Sequence, residues 1–129
     1  MIFSLTILSA PSSQASYSAY QFAKALLLEG HSLYRIFFYH DGSYHGSQLN
    51  CSPQDEIDLS LEWQQLQKQH SLDIVVCIAA GLKRGIIDSN EANRYDKPSA
   101  NLIKEFELSG LGQLVDAAVI SDRMMTFGA

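Results

Sequence analysis

The segment that most constrains this chain is residues 73–79, DIVVCIA. A short run of apolar, largely β-branched residues with no polar alternation reads as a strand buried on both faces. Such strands belong to parallel sheets, and parallel neighbours need long crossover connections, usually helical. The rest of the chain alternates in that way. Residues 2–8 (IFSLTIL) read as a first buried strand. A helix from about Ser16 to Glu29 follows, with Ala19, Phe22, Ala23, Leu26 and Leu27 on one apolar stripe and Gly30 placed to end it. Residues 33–39 (LYRIFFY) read as a second strand, and His40-Asp41-Gly42 turns the chain. Ser52-Pro53 is a helix start, with Asp55 and Glu56 in the first turn and Leu59, Trp63 and Leu66 on the buried face, ending near His70.

After the 73–79 strand, residues 81–103 form a long connection with room for one or two short helices capped by Asp88 or Ser89. Residues 105–108 (EFEL) are a short strand. Ser109 is expected to cap a helix that buries Leu111, Leu114, Val115, Ala118 and Val119, and 123–127 closes the chain as a strand. The expectation is a single domain over residues 1–129. Its fold class is α/β, flavodoxin-like, with a mostly parallel five-stranded sheet and helices on both faces. In such sheets the functional loops lie at the carboxyl ends of the strands.

Charge narrows the partners. With a formal net charge of −5 and a pI near 5.2, and with no basic run, the chain is ill suited to direct contact with nucleic acid or an anionic membrane. No segment reaches transmembrane length. The N-terminus lacks the positive start and long apolar stretch of a signal peptide and reads better as a strand. Two cysteines are too few for a disulfide scaffold. A reducing, cytoplasmic setting is therefore expected.

Of the two, Cys77 sits near the carboxyl end of the best strand. The small residues Ala79, Ala80 and Gly81 follow, where backbone N–H groups can approach a ligand sulfur, and then Lys83 and Arg84. A helix start at this point would favour a thiolate, the form that attacks a disulfide or persulfide sulfur. By residue type alone, a buried small hydrophobe explains Cys77 as well. A cysteine-dependent phosphatase loop separates Cys and Arg by five residues. Here six separate Cys77 from Arg84, and Lys83, which lacks the guanidinium fork, holds the required spacing. Cys51 lies in a polar loop and reads as incidental. The histidines His31, His40, His45 and His70 are scattered without ligand spacing, and no glycine-rich nucleotide fingerprint occurs. Neither a metal nor a cofactor is expected.

The stretches QFAKALLLEGH, RIFFYHDG, LDIVVCIAAGLKRGI and SGLGQLVDAAVISDR, with the closing FG, resemble the DsrE family of sulfur carriers over nearly the whole chain. The segment around Cys77 is its most specific part. The resemblance implies a sulfurtransferase that holds sulfane sulfur as a persulfide on Cys77. In its TusD-like branch it implies a heterohexamer with two smaller homologous subunits, TusB-like and TusC-like. A TusA-like donor and a TusE-like acceptor would exchange the sulfur, bound for the wobble uridine of tRNA. Dissimilatory sulfur oxidation, and a non-catalytic scaffold subunit, remain alternatives.

Overall fold

The computed structural model describes residues 1–128. Its centre is a five-stranded, wholly parallel sheet of β1 (Ile2–Ile7), β2 (Ser32–Phe38), β3 (Ile74–Cys77), β4 (Glu107–Ser109) and β5 (Arg123–Phe127). The strand order is β4-β3-β2-β1-β5. From β1 to β4 the chain moves across the sheet one strand at a time in one direction. The step from β4 to β5 runs back past three strands. Right-handed crossovers in opposite directions place their helices on opposite faces, which gives the three-layer α/β arrangement expected from the sequence.

The first face is thick. Leu5, Ile7, Ile36, Phe38, Ile74 and Val76 pack against Ala19, Tyr20, Ala23 and Leu26 of α1 (Gln14–Leu28) and Leu59, Trp63 and Leu66 of α2 (Leu59–His70). The connection from β3 to β4 carries α3 (Ile78–Lys83) and α4 (Ser89–Arg94), and its Ile86, Ile103 and Phe106 join the same core. The second face is thin. Its hydrophobic cluster is small, Phe37, Val75, Cys77 and Ala80, with Leu114 of α5 (Gly112–Ile120) and Tyr39 packed against it.

Polar contacts fix α5 on that face. A bulge between β1 and β2, where Phe3 pairs with Leu33 but Ser4 with Arg35, inserts Tyr34 as an extra residue. Tyr34 donates its hydroxyl to Asp116 at 2.6 Å, and Arg35 Nη1 donates to Asp116 at 2.9 Å and to the carbonyl of Gln113 at 2.8 Å. On its other side Arg35 forks onto Asp73 through Nε and Nη2 at 2.8 and 2.7 Å.

Several expected boundaries shift. α1 is capped by Ser13, whose side chain accepts from the Ala15 N–H, and Ser16 lies buried within the helix. α2 begins at Leu59, not at Ser52-Pro53. Asp58 is its cap, accepting from the Leu61 N–H at 3.2 Å, while Pro53 closes a separate turn through Glu56. Asp55 and Glu56 therefore lie outside the helix, and Glu62 is the acidic residue of its first turn. The 73–79 strand stops at Cys77, and Ile78 and Ala79 are already helical. Ser109 ends β4 instead of capping α5. α5 turns Ala117 and Leu114 inward and leaves Leu111, Val115, Ala118 and Val119 exposed, because the Asp116–Arg35 anchor sets its rotation. Among the described residues no helix is long and apolar enough to cross a membrane.

Candidate functional site

Cys77 is the last residue of β3 and the N-cap of α3. Its backbone (φ −60°, ψ 123°) turns the chain directly from strand into helix, and its side chain makes no capping hydrogen bond. The N–H groups of the first turn of α3 thus have no intrahelical carbonyl to bind. Ala79 is exposed and Ala80 buried against Cys77, so small side chains flank the thiol.

The position is a topological one. Cys77 pairs in register with Ser109 at the end of the neighbouring β4. The chain leaving β3 joins the thick face, and the chain leaving β4 passes to α5 on the thin face. Where adjacent strands send their connections to opposite sides, a crevice opens outside the carboxyl ends. Gly110 after β4 and Gly112 at the start of α5 follow on that side, and a Cβ on either glycine would meet nothing within 4 Å. Cys77 itself is 2% exposed, in a cluster against which the half-buried Tyr39 and Leu114 pack. His40 stacks on Tyr39 with ring centroids 4.2 Å apart.

The other residues singled out from the sequence fall into different roles. Gly81 is buried within α3, and a Cβ there would lie 2.8 Å from the Ile86 carbonyl, so it serves close packing of the chain rather than contact with the thiol. Arg84 points away from Cys77. Its Nε donates to Asp41 at 3.0 Å and its Nη1 to the Ala80 carbonyl at 3.1 Å, tying the end of α3 to the 3-10 turn at His40–Gly46. Lys83 is exposed at the far end of α3, about 7.5 Å of helix rise from Ile78. The basic pair thus stands at the far end of α3 and does not converge on the sulfur.

His45 is separated from Cys77 by the sheet. It stacks on Phe38, whose side chain lies on the thick face, while Phe37 beside Cys77 lies on the thin one. His40, His45 and Cys77 therefore cannot share a ligand. Cys51 is exposed and lines a separate polar cleft of about 590 Å³ with residues 10–14 and 56–60, none of them from the Cys77 cluster. The contacts that the sequence did not reveal are Tyr39 and Leu114 against the cluster that holds Cys77, and the Arg35 anchor that holds α5 in place. For Leu114 the available signal was the SGLG segment just before it.

The model of the DsrE/DsrF-like family matches residues 1–127. The chain is 49% identical to the DsrE protein of Allochromatium vinosum over 129 residues, 99% of each chain. It is 46% identical to the "Sulfurtransferase TusD homolog" of Pseudomonas aeruginosa over 128 residues, 99% of this chain and 98% of that one. The crystal structure of the ychN protein from E. coli superposes with a TM-score of 0.76 over 98% of this chain and 100% of that chain. At 18% identity this is a likeness of fold.

Proposed function

The chain belongs to the DsrE/DsrF-like family and is a sulfurtransferase, and from that premise we propose that Cys77 is its sulfur carrier. The observation that carries the reading is the placement of this thiol at the carboxyl end of β3, at the switch between β3 and β4 and at the start of α3.

The Cys77 thiolate attacks the terminal sulfur of a donor persulfide. A bond forms between Cys77 Sγ and that sulfur, the donor S–S bond breaks, and the donor leaves as a thiolate. An acceptor thiolate then attacks the same terminal sulfur, and Cys77 departs as thiolate. No net oxidation occurs and no cofactor is consumed. The unpartnered N–H groups at the start of α3 are suited to holding the terminal sulfur while it is anionic. Because Cys77 is buried, each exchange requires the packing around it to open.

The setting we infer is the cytoplasmic relay that thiolates the wobble uridine of tRNA, with TusB-like and TusC-like subunits in a heterohexamer, a TusA-like donor and a TusE-like acceptor. Support comes from the TusD name of a relative, from an acidic charge better suited to protein partners than to tRNA, and from an exposed apolar face on α5. The 49% identity to a DsrE protein supports a second setting, sulfur oxidation, for the same chemistry. Neighbouring genes separate the two: thiolation partners favour the first, sulfite-reductase genes the second.

The test is intact-mass spectrometry after incubation with a cysteine desulfurase, cysteine and a TusA-like carrier, on the chain alone and on the co-expressed assembly. The expected result is a reducible gain of one sulfur atom, lost in Cys77→Ser and retained in Cys51→Ser. A Cys77→Ser chain that still loads at normal stoichiometry sinks the proposal.

A further inference from the structure

Leu82, Lys83, Gly85, Ile87, Tyr95 and Lys97 line a surface pocket of about 500 Å³ beyond the end of α3. Its walls are chiefly apolar, yet two lysines are among its lining residues in a protein whose net charge is −5. Among the described residues neither Lys83 nor Lys97 has a carboxylate within ion-pair distance. The nearby Arg84, by contrast, is already matched by Asp41. An apolar cup with two unmatched cations suits a group that brings both an apolar side chain and a carboxylate.

The pocket is also in line with the thiol. Ile78 and Leu82, and Ala79 and Lys83, stand four residues apart on α3 and none of them is fully buried, so the pocket and the Cys77 end of the helix are joined by little more than one helical turn of accessible surface. That stretch is about 7.5 Å long by helix rise. An extended peptide covers about 3.3 Å per residue. A segment seated in the pocket therefore presents a residue two to three positions away at the start of α3.

We propose that this pocket docks the reactive segment of the protein that exchanges sulfur with Cys77. That segment carries an apolar side chain and a carboxylate two to three residues from its own cysteine. The inference rests on Cys77 as the sulfur carrier and adds to it the chemistry of the partner.

The experiment uses the full chain with Cys51→Ser, loaded by inorganic polysulfide. The Cys77 thiolate opens a polysulfide S–S bond, takes the terminal sulfur and releases a polysulfide one sulfur shorter. Two tetrapeptides serve as acceptors. One has an N-terminal cysteine, a glycine, a leucine and a terminal glutamate. The other ends in lysine amide instead. Transfer forms a bond between the peptide sulfur and the terminal sulfur, breaks the Cys77 Sγ–S bond, and is followed by the peptide's gain of one sulfur in mass.

The expected result is a preference of about tenfold or more in kcat/KM for the acidic peptide, shrinking as salt is raised. The preference reverses toward the basic peptide in Lys83→Glu/Lys97→Glu. It persists in Lys24→Glu/Lys68→Glu, which makes the same change in net charge on α1 and α2. Equal rates with both peptides, or a preference that survives the Lys83/Lys97 reversal, overturn the docking site and leave Cys77 standing as carrier. Failure of Cys77 to take up sulfur at all overturns the carrier reading, and the docking site with it.

Discussion

The ring of His45 is fully buried, and Nε2 lies 3.2 Å from the Ser9 carbonyl and 3.1 Å from Ser16 Oγ. A carbonyl only accepts, so Nε2 carries the proton, and Nδ1 is left without a partner among the described residues. Burial makes the charged ring costly and lowers its pKa from 6.5 to about 3, with the Ser9 carbonyl opposing the shift. The folded state thus refuses a proton that the unfolded chain accepts. Stability from this residue is full above about pH 6.5 and drains away as pH falls toward the folded value, by up to about 1.4 kcal/mol per pH unit. Urea unfolding at pH 7, 5.5 and 4 should show the loss. His45→Gln, which keeps a donor for Ser9 but does not titrate, should flatten that dependence relative to the parent. Parallel pH profiles for the two would show that His45 is not responsible. Gly42 makes a second residue-scale demand. A Cβ there would stand 2.0 Å from the Ile7 carbonyl, where β1 ends. Gly42→Ala should therefore cost about 3 kcal/mol or more in chemical denaturation, at the upper end for overpacking, since backbone must move.

At the scale of elements, the caps give a direct comparison. Asp58→Ala should destabilise by about 1 kcal/mol, whereas Ser52→Ala in the exposed loop should stay within about 0.5 kcal/mol of the parent. Both positions carry capping residues, and Ser52-Pro53 has the stronger local signature. What decides between them is tertiary: Leu59, Trp63 and Leu66 must meet the sheet, and the chain before them curls around the cleft that holds Cys51. Local pattern located β3, α4 and β5 because their signals are backbone and burial signals within a few residues. It placed Cys77 at a strand end for the same reason. It could not orient α5, where apolar residues surround much of the helix and the choice of face falls to an ion pair with Arg35, 81 residues away in sequence. Leu114 of the helix it holds packs against the cluster that contains Cys77. Arg35→Lys keeps the charge but cannot span Asp73 and Asp116 with a planar fork. It should loosen α5 and raise the rate of Cys77 alkylation several-fold in a Cys51→Ser background. An unchanged rate would mean that Leu114 is not the cover that opens.

For the molecule as a whole, the unequal faces of the sheet matter most. One face carries α1, α2 and the β3–β4 connection, and the other has α5 alone over a buried cluster of four residues. α5 in turn shows solvent Leu111, Val115, Val119 and Ile120, the two valines 62% and 76% exposed. Such a row has no use in the isolated chain, where it gains nothing by burial, and it matches the apolar centre of a subunit contact. If the assembly covers it, Val115→Glu/Val119→Glu should leave thermal unfolding of the isolated chain nearly unchanged, since neither side chain is packed. The same change should weaken association with the TusB-like and TusC-like subunits. Burying each valine contributes about 1.5–3 kcal/mol, so the loss should be at least about a hundredfold in affinity by sedimentation or size-exclusion titration. Because Leu114 of α5 packs against the cluster that holds Cys77, assembly on this face would act on the thiol's surroundings as well. Cys77 alkylation should then change when the partners are added to the parent chain and stay constant when they are added to the double variant. Full assembly of the variant would show instead that α5 remains open to solvent in the complex and that the subunits meet elsewhere.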